Sequence, residues 1–185
     1  AIGLAPQRTK KLGMNRGNAI LLAVDNAKPG DVILLEMQTD VCGQGQYGPA
    51  EEDQDVFDAT TVAVANGIVV VAAAGNGNVN LDISQCNGRY NRAIRDSGAI
   101  IVGAGGSGRA GCNSARTKMS FSTYGSRVDV QGWGECLWTT SYGHGYKDPD
   151  NVSDENRWYT NDFGGTSGAS PIVAAAAANL SLIHI

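Results

Sequence analysis

A chain of 185 residues with 18 acidic and 14 basic side chains carries a formal net charge of -4 at pH 7. It shows no basic run or stripe that would suit a nucleic acid. No apolar run reaches the roughly 18 uncharged residues a membrane span needs, so neither nucleic acid nor membrane is expected as a partner.

In chain order, Asn18 fits as the N-cap of a helix over 18–28, with Ile20, Leu21, Val24 and Ala27 on one face and Pro29-Gly30 as its stop. The opening AIGLAPQRTKK before it lacks the apolar centre of a signal peptide. The continuously apolar DVILLEM, 31–37, predicts a strand buried on both faces. A second helix is expected over 55–66, closed by Gly67 at C′. Further strands are expected over 68–75, 99–105 and 127–132. In 164–180, GGTSGASPIVAAAAANL, a glycine-rich turn feeds a buried helix with Pro171 in its first turn, where a missing N–H is harmless. Helices alternating with apolar strands predict an α/β fold of three layers, a mostly parallel sheet with helices on both faces. No repeat or linker divides it, so 1–185 reads as one domain.

The four cysteines, Cys42, Cys86, Cys112 and Cys136, are widely spaced and form no C-x-x-C pair. Structural disulfides in a secreted protein are the leading reading, with buried free thiols as the alternative; spacing does not decide the pairing. Two histidines cannot complete a zinc site, and no metal site is assigned.

Two glycine-rich loops compete for the function. GAGGSG, 103–108, satisfies G-x-G-x-x-G, and Asp129 lies about 20 residues on, as a dinucleotide site would want. A helix must follow to hold the pyrophosphate, whereas RAGCNSARTKMS has no apolar periodicity; a surface turn is the better account. The second loop, Gly165-Thr166-Ser167-Gly168-Ala169-Ser170-Pro171, fills every fixed position of G-T-S-x-A-x-P. It resembles the nucleophile motif of the subtilisin-like serine peptidases, the subtilases. VVVAAAGNGN, 69–78, is similar to the strand of that family that ends in the oxyanion-hole asparagine, and SFSTYGSRVDVQGWG, 120–134, to its Phe-Ser-x-x-Gly segment. The resemblance runs from about Gly3 to Ala178 and implies a partial subtilisin-like fold.

It also implies roles. Ser167 is the nucleophile, and Asn76 donates to the oxyanion. Glu36, Met37, Gln38, Ala74, Gly75 and Thr166 border the substrate, although Glu36-Met37-Gln38 departs from the family's Ser-Leu-Gly. Without the resemblance, Ser167 could be a helix N-cap and Asn76 a turn residue. The family's Asp and His both precede the strand that DVILLEM resembles, and no His occurs here before His144. IGLAP resembles the stretch after the His helix, so this chain is expected to lack both segments, and 179–185 is suspected as a non-native tail. His144 is the natural substitute base and His184 a weaker one; Asp162 could orient a base or start the turn. Asp148, Asp150, Asp154 and Glu155 could offer oxygens to Ca²⁺ but lack EF-hand spacing, and a solvated loop is the default. Asn151-Val152-Ser153 meets the glycosylation pattern.

The expectation is therefore a serine hydrolase of subtilisin-like ancestry, from an extracellular parent, cleaving peptide or ester bonds with weak or esterase-like activity and no cofactor. The rival is an inactive, self-associating fragment, a homodimer through an exposed sheet edge or a swapped terminal helix. A nucleotide-binding module is a distant third.

Overall fold

The computed structural model describes residues 3–10, 13–141 and 143–184, with side chains described as far as Ser181. A short antiparallel pair, β1 (Arg8–Thr9) with β2 (Gly13–Met14), leads into α1 (Arg16–Val24). The cap of α1 is Asn15, whose side chain accepts from Asn18 N at 2.9 Å. The helix thus begins earlier than expected, and Asn18 is the residue being capped rather than the cap. It also stops at Val24 rather than at 28, because Asn26 N turns back to Ala23 O and Ala27 N to Val24 O.

The chain continues through β3 (Val32–Leu35), β4 (Gln38–Asp40), β5 (Tyr47–Pro49), α2 (Gln54–Ala65) and β6 (Val69–Ala73). The end of α2 was legible: Gly67 follows it at φ +73°, the left-handed region that favours glycine. Next come β7 (Ile100–Gly105), β8 (Val130–Trp133), β9 (Leu137–Thr140), β10 (Tyr159–Phe163) and α3 (Thr166–His184).

Four of these strands make one parallel sheet in the order β3-β6-β7-β8. β4 with β5, and β9 with β10, form separate antiparallel ribbons. One face is covered by α1 and α2, which bring Ile20, Val56, Ala59 and Ala63 onto Ile33, Leu35, Val70 and Ala72. On the other, α3 sets Ala169 and Ala174 against Val71, Val102 and Ala104. The three-layer α/β arrangement is the one the alternation of elements predicts.

Two expectations need correction. β3 is not buried on both faces, since Leu34 is 37% exposed. The strand stands at the sheet edge, and among the described residues it pairs only with β6. An apolar run reports hydrophobicity, whereas burial depends on what lies alongside. Pro171 is not in the first turn of α3 but is its sixth residue. Its missing N–H would have bonded Ser167 O. Nearby, Ser170 Oγ donates to Thr166 O at 2.9 Å.

All four cysteines are paired, Cys42 with Cys86 and Cys112 with Cys136, which removes the free-thiol alternative. A buried ion-pair network ties the start of α2 to the entry of β8. Arg127, with no exposed surface, donates from Nε to Glu51 Oε1 at 2.7 Å, from Nη1 to Asp129 Oδ2 at 3.0 Å and from Nη2 to Ala99 O at 3.1 Å. Every donor of so deeply buried a charge needs a partner.

Candidate active site

Ligands of open parallel sheets gather at the carboxyl ends of the strands, and β6 carries the candidate oxyanion donor there. Past Ala73 the backbone runs through Ala74, fully buried, and Gly75 to Asn76. Gly75 sits at φ +91°, and a Cβ there would lie 2.6 Å from Gly48 Cα, so only glycine fits. α3 starts at the same end. Gly165, at φ +83°, precedes Thr166, and its own N–H donates to Gly134 O at 2.9 Å.

Thr166 welds the two motifs together. Its N and its Oγ1 each donate to Asn76 Oδ1 at 2.9 Å, and Gly75 N donates to Thr166 Oγ1 at 3.2 Å. A backbone N–H can only donate, so the amide oxygen of Asn76 must face Thr166 and the NH₂ group must point the other way. On the opposite side Asn76 N donates to Gln38 Oε1 at 3.0 Å. Ser167, half-buried, is the second residue of α3 and thus lies past the cap position. Among the described residues neither its Oγ nor its N makes a hydrogen bond. Such an N–H, in the first turn of a helix, is one of the four the helix leaves unpaired, at the positive end of its dipole.

The asparagine loop is clamped from two sides. Backbone of Tyr47 and Gly48 in β5 presses on Gly77 and Gly75. From the other side Thr123 N donates to Gly75 O at 3.0 Å, Asn78 N to Phe121 O at 2.8 Å, and Thr123 Oγ1 to Tyr47 O at 2.7 Å. Lys118 Nζ converges on Asn78 Oδ1, Met119 O and Ser122 O at 2.9, 3.0 and 3.2 Å, and burial lowers its pKa. The β9–β10 ribbon flanks the helix start: Leu137 and Phe163 lie where a Cβ on Gly168 would project.

The structure therefore gathers Ser167, Thr166, Asn76, Gly75, Ala74 and Gln38 at one end of the sheet. Met37 packs instead against the α1–α2 core. Glu36 is exposed at the end of β3, yet partial burial of its carboxyl raises its pKa. His144 is exposed in the loop between β9 and β10, near the bridge of Tyr146 with Tyr159. The side chain of His184 lies outside the described residues. Asp162 Oδ1 accepts from Thr160 Oγ1. Asp148 Oδ2 and Asp154 Oδ2 both accept from Arg157, at 2.5 and 3.1 Å. The Arg157 hydrogen bond holds Asp148 below the usual carboxylate range, and bonds from Asn156 do the same for Asp154.

GAGGSG covers the last three residues of β7 and the turn after it, and no helix follows among the described residues before β8. Asp129 accepts from Ile101 N at 2.7 Å and pairs with Arg92 and Arg127, which occupies it structurally and removes the ribose-binding reading. Nothing in the sequence marks Gln38 as a support for Asn76. Its signal would have been a long amide at the end of the strand beside β6.

A family model described as the subtilase family matches residues 33–181. No curated protein is similar enough in sequence to match. Among solved structures, a lanthipeptide protease is 18% identical over 94% of this chain and 53% of its own, with a TM-score of 0.58. A cold adapted subtilisin-like serine proteinase is 19% identical over 94% of this chain and 50% of its own, with a TM-score of 0.55. The nisin leader peptidase NisP from Lactococcus lactis is 21% identical over 91% of this chain and 52% of its own, with a TM-score of 0.56. At such identities the likeness is one of fold. The chain spans about half the length of these proteins.

Proposed function

The chain belongs to the subtilase family, and from that premise we propose that it is a serine hydrolase acting on peptide or ester carbonyls. Ser167 Oγ attacks the carbonyl carbon and gives up its proton to a base. The carbonyl oxygen, now negative, is held by Asn76 Nδ2 and Ser167 N. Collapse of the tetrahedral intermediate expels the amine or alcohol and leaves an acyl-enzyme, which water then hydrolyses. The observation that carries this reading is the pair of Thr166 hydrogen bonds to Asn76 Oδ1, which turns the amide donor away from Thr166.

The base is the weakest member. Ser167 Oγ has no hydrogen-bonded acceptor among the described residues, and His144 is the substitute we propose. A serine without a preset base favours activated esters, whose leaving groups need no proton, over amides. Cleavage of a p-nitrophenyl ester should exceed cleavage of casein, and Ser167→Ala should abolish both. Unchanged ester turnover in that variant would remove Ser167 from the mechanism. Two disulfides suit an extracellular parent protein.

A second reading has its own support. The edge of β3, which has no strand partner on its outer side among the described residues, carries the exposed Leu34 and suits a self-associating chain without turnover. A homodimer, by edge pairing or by exchange of α3, is then expected at high concentration in light scattering, and a strict monomer contradicts it.

A further inference from the structure

Glu36 stands at the end of the sheet where the candidate nucleophile lies, with no counter-charge among the described residues. Side chains alternate along a strand, and Ile33, Leu35 and Met37 all point into the core under α1 and α2, whereas Val32 packs on the α3 side. Glu36 therefore projects from the face that carries α3. Leu35 pairs with Ala72 in the parallel register, which sets Glu36 level with the last residue of β6, three before Asn76. Two residues on, Gln38 reaches the backbone of Asn76 itself. The turn into α3 meets Asn76 at this same end. Among the described residues Glu36 makes no ion pair or hydrogen bond, although it is exposed enough to meet a ligand. Its raised pKa fits a carboxyl group losing solvent without gaining a cation.

Resting on the serine-hydrolase reading above, we infer that Glu36 is a specificity residue selecting substrates that present a lysine- or arginine-type cation beside the scissile carbonyl. The ligand supplies the counter-charge that the described residues do not. A charge-assisted contact to a partly desolvated carboxylate is stronger than the same pair in open water.

The test separates this from nucleophilicity by measuring binding alone. Acetyl-Ala-Ala-Arg-amide and its norleucine counterpart are titrated by calorimetry against the full chain, Ser167→Ala and Glu36→Gln, each checked for native circular dichroism. The arginine peptide should bind about tenfold tighter than the norleucine peptide to the full chain and to Ser167→Ala. That ratio should fall to about one in Glu36→Gln, a near-isosteric change at an exposed position. Equal affinities in the full chain, no binding of the arginine peptide, or a preference that survives in Glu36→Gln overturns the assignment. Loss of the Ser167 reading shows elsewhere, as absent acylation with the arginine preference intact.

Discussion

Thr166 holds Asn76 by two hydrogen bonds to the same amide oxygen, both 2.9 Å, across 90 residues of sequence. Only one of the two comes from the side chain, so the pairing can be tested by degrees. Thr166→Val removes the Oγ1 donor and leaves Gly75 N without its acceptor, while Thr166→Ser keeps both. Under the proposed mechanism the valine variant loses about tenfold in kcat for a p-nitrophenyl ester with little change in KM, and the serine variant loses far less. Asn76→Leu should cost more, about 10²–10³ in kcat, the usual worth of an oxyanion donor.

The Arg127–Glu51 pair should dominate stability rather than turnover. Arg127→Met strands the 5%-exposed Glu51 carboxylate in the core, and a lost partner of a buried pair costs about 3–5 kcal/mol. Urea unfolding should show the loss as a lower midpoint with an unchanged slope. The double variant Arg127→Met/Glu51→Leu should recover part of it.

Reduction should reach the site through β5. Cys42–Cys86 closes a 44-residue separation and fixes the turn between β4 and β5, whose backbone presses on Gly75 and Gly77. Opening it should cost about 2–5 kcal/mol of stability. Cys42→Ser/Cys86→Ser should also lower ester turnover more than the corresponding change at Cys112 and Cys136, as measured by initial rates below the melting temperature.

Glu36 gives a pH dependence with a definite sign. Its folded pKa is raised, so the folded chain binds this proton more tightly than the unfolded chain does, and stability falls as pH rises from the unfolded value toward the folded one. Glu36→Gln should therefore raise Tm at neutral pH, and the gain should vanish below about pH 4, near the unfolded pKa. Because the residue is exposed the gain stays small, about 1–2 °C. Scanning calorimetry at pH 4 and pH 7 reads the difference.

What was legible in the sequence was what short stretches decide alone. Gly67 ends α2 because a left-handed residue must follow the helix, and that requirement is written in one residue. The start of α1 is ambiguous in sequence because Asn15 and Asn18 are both capable caps, and only the observed bond from Asn18 N to Asn15 shows which is used. β3 reads as a central strand by composition and is an edge strand by position, a difference held by its neighbours. The meeting of Thr166 with Asn76 could be expected only from paired motifs. The Gln38 bond depends on a rotamer, and the disulfide pairing on a fold that brings residues 42 and 86 together.

Under the proposed mechanism Ser167 is an activated nucleophile. Labelling of the folded chain with an uncharged fluorophosphonate, followed by peptide mass spectrometry, tests it most directly. One adduct is expected, on Ser167, lost in Ser167→Ala and slowed in Asn76→Leu. Folded protein that takes up no adduct, or an adduct on another serine, would contradict it.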